Sequence, residues 1–216
     1  MYKRVIKRLL DLLFSFISII VLSLPMLILA LAIKIDDPGP VLFKQKRVGQ
    51  KKNGRITYFK IWKFRSMKMS TPHDTPTHLL ENPEQYITRV GKFIRKTSLD
   101  ELPQIYQVFT SKLSIIGPRP ALWNQDDLIA EREQYAANDI KPGLTGWAQI
   151  NGRDELTIKE KARLDGEYAQ RIGFLFDCKC FFGTIKAVLK SDGVVEGGAK
   201  RKTLEEPQAS EKESMK

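Results

Sequence analysis

The chain has 216 residues, enough for one globular domain with a hydrophobic core and short appendages. Its 36 Lys and Arg residues outnumber 25 Asp and Glu residues, giving a formal net charge of +11. Such an excess predicts an anionic partner, which could be a membrane surface, a phosphorylated substrate or a nucleic acid. Two cysteines (Cys178, Cys180) and two histidines (His73, His78) exclude a disulfide framework and a plausibly spaced zinc site, and predict a reducing, cytoplasmic compartment.

A long apolar run follows the basic N-terminus. No charged residue occurs from Leu12 to Ile33, and as a helix this run is about 33 Å long, enough to span a bilayer. It is too long for the apolar core of a signal peptide. Ser23 and Pro25 lie in its middle, where proline removes a backbone hydrogen bond, and both flanks are basic, which places both ends in the cytoplasm. A helix broken at Ser23 and Pro25 that returns to the same side fits these observations, but a single kinked span fits the sequence equally well.

The next elements predict a β-hairpin with a basic tip. The turn-rich segment Asp36–Pro40 ends the membrane element. Alternating apolar and polar residues over Val41–Gln45 and Ile56–Phe64 predict two strands around the hydrophilic segment Gly49–Gly54. Residues 70–85 are rich in Thr, Pro, His and Asn, which predicts a mobile loop.

The remainder of the chain predicts a mainly helical structure. Helices are expected over residues 104–116, 123–137, 155–172 and 174–189, separated by the breaker Gly117–Pro120 and a loop-and-strand segment over 141–153. The last helix combines phenylalanines with lysines, so it either packs in a core or lies in the membrane interface. Residues 197–216 are charged and poor in apolar side chains, which predicts a disordered tail. The predicted fold class is therefore mainly α with a small β-hairpin.

Two adjacent carboxylates, Asp100 and Glu101, stand between a group of cations and an apolar run that begins after Pro103. This pattern predicts the N-terminus of a helix. Either Ser98 is the N-cap and forms a capping box with Glu101, or Asp100 is the N-cap and Pro103 lies in the first turn. In both arrangements the helix dipole keeps the acids ionised and attracts phosphate. Taken alone, however, the pattern is also a common structural cap.

The cations form short clusters beside glycine, proline and aromatic residues, in Lys60–Arg65, Gly117–Pro120 and residues 152–154. Arginine and lysine held in rigid turns suit fixed phosphate oxygens, and Arg119 between two prolines is the sharpest signal. The scattered clusters do not favour a nucleic-acid partner, and Walker-type and dinucleotide-binding loops are absent from the sequence. One carboxylate could attack a phosphoryl group while the other holds Mg²⁺.

Several motifs in a fixed order resemble the bacterial sugar transferases, and more narrowly the small monotopic polyprenol-phosphate phosphoglycosyl transferases. The resemblance covers residues 1–195. It rests on the broken apolar helix and on five segments: Pro38–Gly49 (PGPVLFKQKRVG), Lys63–Met67 (KFRSM), Thr97–Gln104 (TSLDELPQ), Gly117–Pro120 (GPRP) and Lys141–Gln149 (KPGLTGWAQ).

The resemblance implies a re-entrant membrane helix over residues 1–35, with both ends cytoplasmic, and a catalytic domain over 36–196 on the cytoplasmic face of the bacterial inner membrane. That domain is expected to carry interfacial amphipathic helices. The implied reaction transfers a sugar 1-phosphate from a UDP-sugar to undecaprenyl phosphate and releases UMP, by a ping-pong route with Mg²⁺. It begins the assembly of a capsule, O-antigen, exopolysaccharide or glycoprotein glycan, with membrane lipid and downstream glycosyltransferases as further partners. Longer relatives carry additional N-terminal parts, so a minimal catalytic form is expected here.

By motif, Asp100 is expected to be the nucleophile and Glu101 the main Mg²⁺ partner, with Asp100 as a second metal ligand. The residues expected to bind substrate phosphates are Arg119, Lys63, Arg95 and Arg65, and those expected to bind the UDP-sugar are Arg153, Asp165 and Gln149. Asp36 and Asp37 depart from the small or hydroxylated residues common in the family, which is expected to leave function intact. The alternative function is that of a membrane-anchored basic adaptor without catalysis.

Overall fold

The computed structural model describes residues 1–71, 83–152 and 155–190. The predicted tail over 197–216 and most of the predicted loop over 70–85 lie outside these ranges. The helices are α1 Lys7–Asp36, α2 Arg89–Lys96, α3 Gln104–Phe109, α4 Asp126–Glu133, α5 Trp147–Ile150, α6 Ile158–Arg171 and α7 Phe174–Lys190. The strands are β1 Leu42–Val48, β2 Tyr58–Phe64, β3 Ser114–Ile116 and β4 Gly143–Thr145. The prediction of a mainly helical protein with a small antiparallel hairpin is confirmed.

Helix α1 is one continuous helix through Ser23 and Pro25. The predicted break of the helix at Ser23 and Pro25 is therefore wrong. Pro25 removes only one backbone hydrogen bond, and the helical turns on either side keep their hydrogen bonds. Ser23 Oγ donates to the Ile20 carbonyl at 2.7 Å, a local bond that is compatible with helical backbone. Among the described segments, Tyr2–Asp36 is the one long and apolar enough to cross a membrane, and 11% of its most apolar window is buried. The core helix of a soluble protein would be mostly buried, so the exposed apolar surface of this helix is typical of a membrane-associated helix.

Both halves of α1 are fixed to the same body of the protein. Near its N-terminal end, the Asp11 carboxylate accepts a hydrogen bond from Ser114 Oγ at 2.8 Å. Near its C-terminal end, Ile33 is 2% exposed and packs in a hydrophobic cluster with Phe64 of β2 and Ile94 of α2. The helix therefore lies along the rest of the structure instead of projecting away from it.

The hairpin is tied to α3 by one buried amide. Strands β1 and β2 pair antiparallel, and alternation along them places Arg47 and Lys63 on the same face. Gln107 of α3 accepts from the backbone N–H of Trp62 at 2.9 Å and donates to the carbonyl of Lys60 at 2.7 Å. The Gln107 side chain thus satisfies backbone groups of β2 and holds that strand against α3, close to the acid pair.

The predicted helix over 104–116 is too long, because its last residues form the parallel strand β3 beside β4. Ser111, with a φ of 64°, leaves the helical conformation between α3 and β3. The parallel pair was not predicted. It requires very close backbone approach: a Cβ at Gly143 would lie 2.2 Å from the backbone nitrogen of Gly117. Glycine in the β4 segment is therefore a packing requirement, and it fixes the loop that carries Arg119.

The three C-terminal helical predictions are confirmed as α4, α6 and α7, with shorter bounds for α4 and α6. Helix α6 begins with a capping box between Thr157 and Glu160. Helix α7 packs one face in the core, as the first of the two earlier alternatives predicted, and leaves the other face exposed. Phe176 and Cys180 are buried in the core, while the other face exposes apolar side chains, namely Phe174, Leu175, Phe181, Phe182 and Ile185.

Candidate functional site

The acid pair lies in the short 3₁₀ turn Leu99–Glu101 between α2 and α3. Ser98 has a left-handed backbone with a φ of 56°, its side chain makes no capping hydrogen bond, and α3 begins only at Gln104. Both predicted N-cap arrangements are therefore wrong. The physical reason is that Ser98 closes the end of α2 by donating from its backbone to the Arg95 carbonyl. The Glu101 carboxylate, which a capping box would need, is held by two distant cations.

Glu101 is the anchor of the cationic cluster. Its Oε1 lies 2.8 Å from Lys63 Nζ and 2.8 Å from Arg119 Nη2. Burial alone would raise the pKa of Glu101, but Arg119 and Lys63 together hold it well below its usual range. Glu101 is therefore a permanent anion at neutral pH, and it fixes both cations in place.

Asp100 has the opposite electrostatic environment. Burial raises the pKa of its carboxyl above 3.8, and the negative charge of Glu101 adds to this effect. Lys63, whose Nζ lies 3.5 Å from Asp100 Oδ2, opposes the shift together with Arg119 and Arg95. Two neighbouring carboxyls whose pKa values are pushed apart are suited to different roles. Asp100 is the more basic of the two, and Glu101 the fixed anion.

Arg119 is positioned through its backbone as well as its side chain. Strands β3 and β4 hold the preceding residue, since Gly143 N–H donates to the Pro118 carbonyl at 2.9 Å. Arg132 of α4 donates from Nη2 to the Arg119 carbonyl at 3.0 Å. The rigid turn expected from the flanking prolines is thus fixed from two sides, as a bidentate phosphate contact requires.

Asp165, predicted to contact the UDP-sugar, lies behind this turn in a buried ion pair. It is 1% exposed, and its Oδ2 accepts from Arg132 Nε at 2.8 Å. Burial raises the pKa of Asp165, and Arg132 opposes that shift. In this geometry Asp165 orients Arg132, which in turn holds Arg119. Sequence reasoning missed Arg132 because α4 looked like a solvated charged helix; the available signal was its i, i+4 spacing from the buried Leu128.

A second residue that sequence reasoning missed is Arg47 of β1, which stands in the quoted Pro38–Gly49 motif without an assigned role. Its Nη1 donates to the Pro120 carbonyl at 3.1 Å, and its Nε is buried without a hydrogen-bond partner in the described part of the chain. Burial, followed by the charge of Arg119, lowers the pKa of Arg47 to about 10, while Glu101 opposes that shift. Arg47 therefore adds a desolvated cation to the cluster.

Of the other predicted site residues, Arg95 acts on the acid pair and Arg65 contacts a different part of the protein. Arg95 acts on Asp100 through its charge. Arg65 is 7% exposed, and its guanidinium is paired with Asp37 at the end of α1 and not with the acid pair. Both amide atoms of Gln149 are buried without a partner among the described residues. Arg153 lies outside the described residues.

The Arg65 contact gives a role to the two acids that depart from the family pattern. Asp37 pairs with Arg65 and also accepts from the backbone N–H of Met69 at 2.9 Å. Asp36 accepts from the backbone N–H of Val90 at 2.9 Å. These acids tie the end of α1 to the hairpin and to α2.

The acid pair has the composition of a partial Mg²⁺ site. Over the described ranges, no group of three or more His, Cys, Asp or Glu side chains converges as a complete metal site. Mg²⁺ is commonly bound by one or two carboxylates together with substrate phosphates and water. Glu101 Oε1 makes the short cation contacts, whereas Oε2 lies 3.5 Å from Arg119 Nη1. Asp100 and Glu101 are therefore the carboxylates that would hold such an ion together with a phosphorylated substrate.

Comparison with known proteins places this site in a family. The family model described as bacterial sugar transferase matches residues 2–191. The chain is 39% identical over 195 residues to UDP-glucose:undecaprenyl-phosphate glucose-1-phosphate transferase of Escherichia coli (strain K12), with 84% of this chain and 40% of that protein covered. It is 37% identical over 190 residues to the uncharacterized sugar transferase EpsL of Bacillus subtilis (strain 168), with 88% and 90% covered.

The chain is also similar to a relative whose name specifies galactose. The chain is 32% identical over 204 residues to undecaprenyl-phosphate galactose phosphotransferase of Salmonella typhimurium, with 88% of this chain and 42% of that protein covered. The chain thus spans less than half of the E. coli and Salmonella proteins and nearly all of EpsL. The family resemblance inferred from the motifs is confirmed, and the chain belongs to the bacterial sugar transferase family.

Proposed function

We propose that this chain transfers a sugar 1-phosphate from a UDP-sugar to undecaprenyl phosphate and releases UMP. The observation that carries the proposal is the geometry of the acid pair and its cations: Lys63 Nζ lies 3.5 Å from Asp100 Oδ2, and Glu101 Oε1 lies 2.8 Å from both Lys63 and Arg119. Family relatives named as glucose and galactose phosphotransferases of undecaprenyl phosphate support the substrate classes. The lipid diphosphate sugar produced is then an acceptor for downstream glycosyltransferases in glycan assembly.

The proposed chemistry proceeds in two displacements at one phosphorus. A carboxylate oxygen of Asp100 attacks the β-phosphorus of the UDP-sugar, and the bond from that phosphorus to the bridging oxygen breaks. The bridging oxygen keeps the electron pair and leaves as part of UMP, so that an acyl phosphate remains, in which the sugar phosphate is joined through phosphorus to the Asp100 carboxylate. A phosphate oxygen of undecaprenyl phosphate then attacks the same phosphorus, and the Asp100 carboxylate leaves. The raised pKa of Asp100 makes it a better nucleophile than an ordinary aspartate.

The surrounding side chains supply positioning and charge. Glu101 holds Lys63 and Arg119 at 2.8 Å each, facing the place where phosphate charge shifts during transfer. Mg²⁺, held by Asp100 and Glu101 with the substrate phosphates, would offset charge on the leaving phosphate. The buried, unpartnered amide of Gln149 is the polar group proposed to meet the UDP-sugar. Arg65 and Asp165 are proposed to act behind the site, through Asp37 and Arg132.

A panel of UDP-sugars provides the test of function. With purified protein in detergent and undecaprenyl phosphate, we expect UMP release from at least one of UDP-glucose, UDP-galactose and the UDP-N-acetylhexosamines. Omitting the lipid should limit UMP to about one equivalent per protein, because the second displacement cannot proceed. Absence of UMP with every sugar, while the protein remains folded, would favour the adaptor alternative. UMP released only when both substrates are present would contradict the two-step route.

We also propose that α1 enters the bilayer re-entrantly, on the cytoplasmic face of the inner membrane. A straight helix of its 30 residues is about 45 Å long, so a span would place its ends on opposite sides. Asp11 and Ile33 both contact the same body of the protein, and we propose that this body lies on one side of the membrane. The re-entrant path requires a bend without an interruption of the helix, and the missing backbone donor at Pro25 is the place proposed for it. The exposed apolar face of α7 is proposed to lie in the interface of the same leaflet.

Cysteine labelling in spheroplasts tests this topology. In a background with Cys178→Ser and Cys180→Ala, we expect Arg4→Cys and Lys44→Cys to resist a membrane-impermeant maleimide to the same extent and to react after lysis. Both residues are exposed in the structure, so burial does not limit the reaction. Reaction of Arg4→Cys alone in intact spheroplasts would show a span and contradict the re-entrant proposal.

The pH profile tests the electrostatics of Asp100. Only its ionised form attacks, so activity should fall as pH drops through its pKa, and that limb should lie above 3.8 in the native protein. Lys63→Gln removes a charge that lowers this pKa, so the acid limb of kcat/KM should move to higher pH. Lys60→Gln, an exposed neighbour on β2, is the matched control and should leave the limb in place. A limb that moves to lower pH in Lys63→Gln would exclude Asp100 as the titrating group.

A further inference from the structure

A second cationic region lies at the N-terminal end of α1. A cavity of about 240 Å³ is lined there by Lys3, Arg4, Lys7 and Arg8, together with Lys141 from the segment that leads into β4. None of the residues assigned above to the acid-pair site lines this cavity. We call it the N-terminal basic pocket. Its volume is sufficient for a phosphodiester group, and its charge is opposite to that of a phosphate.

The cations of this pocket divide into two kinds. Lys7 pairs with Asp177 at 2.7 Å, and Arg8 donates from Nη1 to the Val108 carbonyl at 2.8 Å, so these two hold the fold together. Lys3, Arg4 and Lys141 make no ion pair or side-chain hydrogen bond with any residue in the described part of the chain. Two acids also line the pocket, Asp11 and Asp139. Asp11 accepts hydrogen bonds from Ser114 Oγ and from the backbone N–H of Ile115, and the two acids together are outnumbered by the five cations. The pocket therefore carries excess positive charge that the protein itself does not neutralise.

Lys141 is partly buried and lies among like charges. Burial lowers the pKa of its ammonium group, and the neighbouring charges of Arg8, Lys52 and Lys7 lower it further, against the opposite effect of Asp11. A bound anion would reverse the balance of these charges. The lysine is therefore placed as an anion ligand would be, although its charge alone does not identify the anion.

The surroundings of the pocket favour a lipid as the source of the anion. The cations directly precede the charge-free apolar run that begins at Leu12. Next to them, the ring of Tyr2 meets Phe174 edge to face, with centroids 6.2 Å apart, and Leu175 beside it is 82% exposed. The pocket thus opens at the border between a basic surface and two uncovered apolar helix faces, where phospholipid headgroups lie against a membrane protein.

We propose that the N-terminal basic pocket binds the phosphodiester headgroup of an anionic phospholipid, with Lys3, Arg4 and Lys141 as its ligands. The bound lipid is a structural partner that fixes the N-terminal end of α1 at the bilayer surface, and it is neither of the two proposed substrates. This goes beyond the proposed transfer reaction and depends only on membrane placement.

Native mass spectrometry of the full chain in detergent tests the proposal with dioctanoyl-phosphatidylglycerol as the probe. We expect one such lipid to bind per chain, and dioctanoyl-phosphatidylcholine to bind at least tenfold more weakly. Lys3→Gln with Lys141→Gln should weaken phosphatidylglycerol binding about 25-fold, because each cation near an anionic lipid contributes about fivefold. The matched control Lys96→Gln with Lys159→Gln, two exposed lysines outside the pocket, should retain the native affinity.

Two results would overturn the proposal, and two further variants keep the experiment interpretable. Equal weakening in the control pair would show diffuse attraction and overturn the pocket. Displacement of the lipid by glycerol 1-phosphate at equal concentration would assign the pocket to a soluble phosphate and overturn the lipid. The single variant Lys3→Gln changes an exposed side chain that holds no part of the fold, so its expected fivefold loss remains measurable if the double variant unfolds. Asp100→Asn should bind the lipid normally, which separates this result from failure of the proposed reaction.

Discussion

Asp100→Asn should lower UMP release from a UDP-sugar by at least about a thousandfold while leaving the fold unchanged. The amide has the shape of the carboxylate but lacks the charged oxygen that attacks phosphorus, and loss of a covalent nucleophile commonly has effects of this size or larger. Stability should not fall, because the native carboxyl is partly desolvated and its nearest cation, Lys63, keeps its contact with Glu101. The measurement is UMP formation at saturating UDP-sugar and undecaprenyl phosphate, with thermal unfolding recorded in parallel.

A mass measurement distinguishes loss of the nucleophile from loss of substrate binding. The native protein incubated with UDP-sugar alone should gain the mass of one sugar phosphate, located on the peptide that contains Asp100. Asp100→Asn should gain none but should still bind UDP-sugar, and the exposed-site control Asp126→Asn should react like the native protein. Turnover retained in Asp100→Asn, or an adduct on another residue, would remove Asp100 from the proposed role.

The sequence predicted local elements such as the hairpin well, and it predicted contacts between distant residues poorly. Alternation along 41–45 and 56–64 was sufficient to predict the hairpin, and the hairpin places Lys63 on the face that meets the acids. The capping box failed because Glu101 finds Lys63 and Arg119, which are 38 and 18 residues away, and no local rule anticipates such pairs. Arg47 was inside a quoted motif, but its role depends on the contact with Pro120 across the fold.

The parallel strands β3 and β4 were also missed because their pairing depends on contacts between distant residues. A strand of three residues such as β3 has too little periodicity to be separated from the end of α3. The glycines of the Lys141–Gln149 motif were visible, but their purpose appears only when the backbone of β4 lies against Gly117. In α1, proline predicted a break from a local rule, whereas the helix continues to Asp36 and packs Ile33 in the core near its end. Local preference alone was therefore insufficient in both cases.

Asp165→Asn should destabilise the protein by about 3–5 kcal/mol, because it leaves the Arg132 guanidinium buried without a countercharge. Arg132 is 3% exposed and Asp165 1% exposed, so water cannot take the place of the lost carboxylate. A change of this size should lower the midpoint of thermal unfolding in detergent by about 10 °C. Activity should also fall, chiefly in kcat. Asp165 orients Arg132, and Arg132 holds the carbonyl of Arg119, so the variant displaces Arg119 without removing a direct contact with the substrate.

The double variant Arg132→Met with Asp165→Leu distinguishes two roles of Asp165, positioning of Arg119 through Arg132 and direct contact with the UDP-sugar. Replacing both charges with apolar side chains removes the uncompensated cation, so the unfolding midpoint should return to within a few degrees of the native value. The Arg119 carbonyl remains without its donor in this variant, so kcat should stay low although the fold is restored. If Asp165 instead binds the UDP-sugar directly, Asp165→Asn would raise KM with little change in stability. Recovery of stability without recovery of kcat would establish that the buried pair serves the site by fixing Arg119.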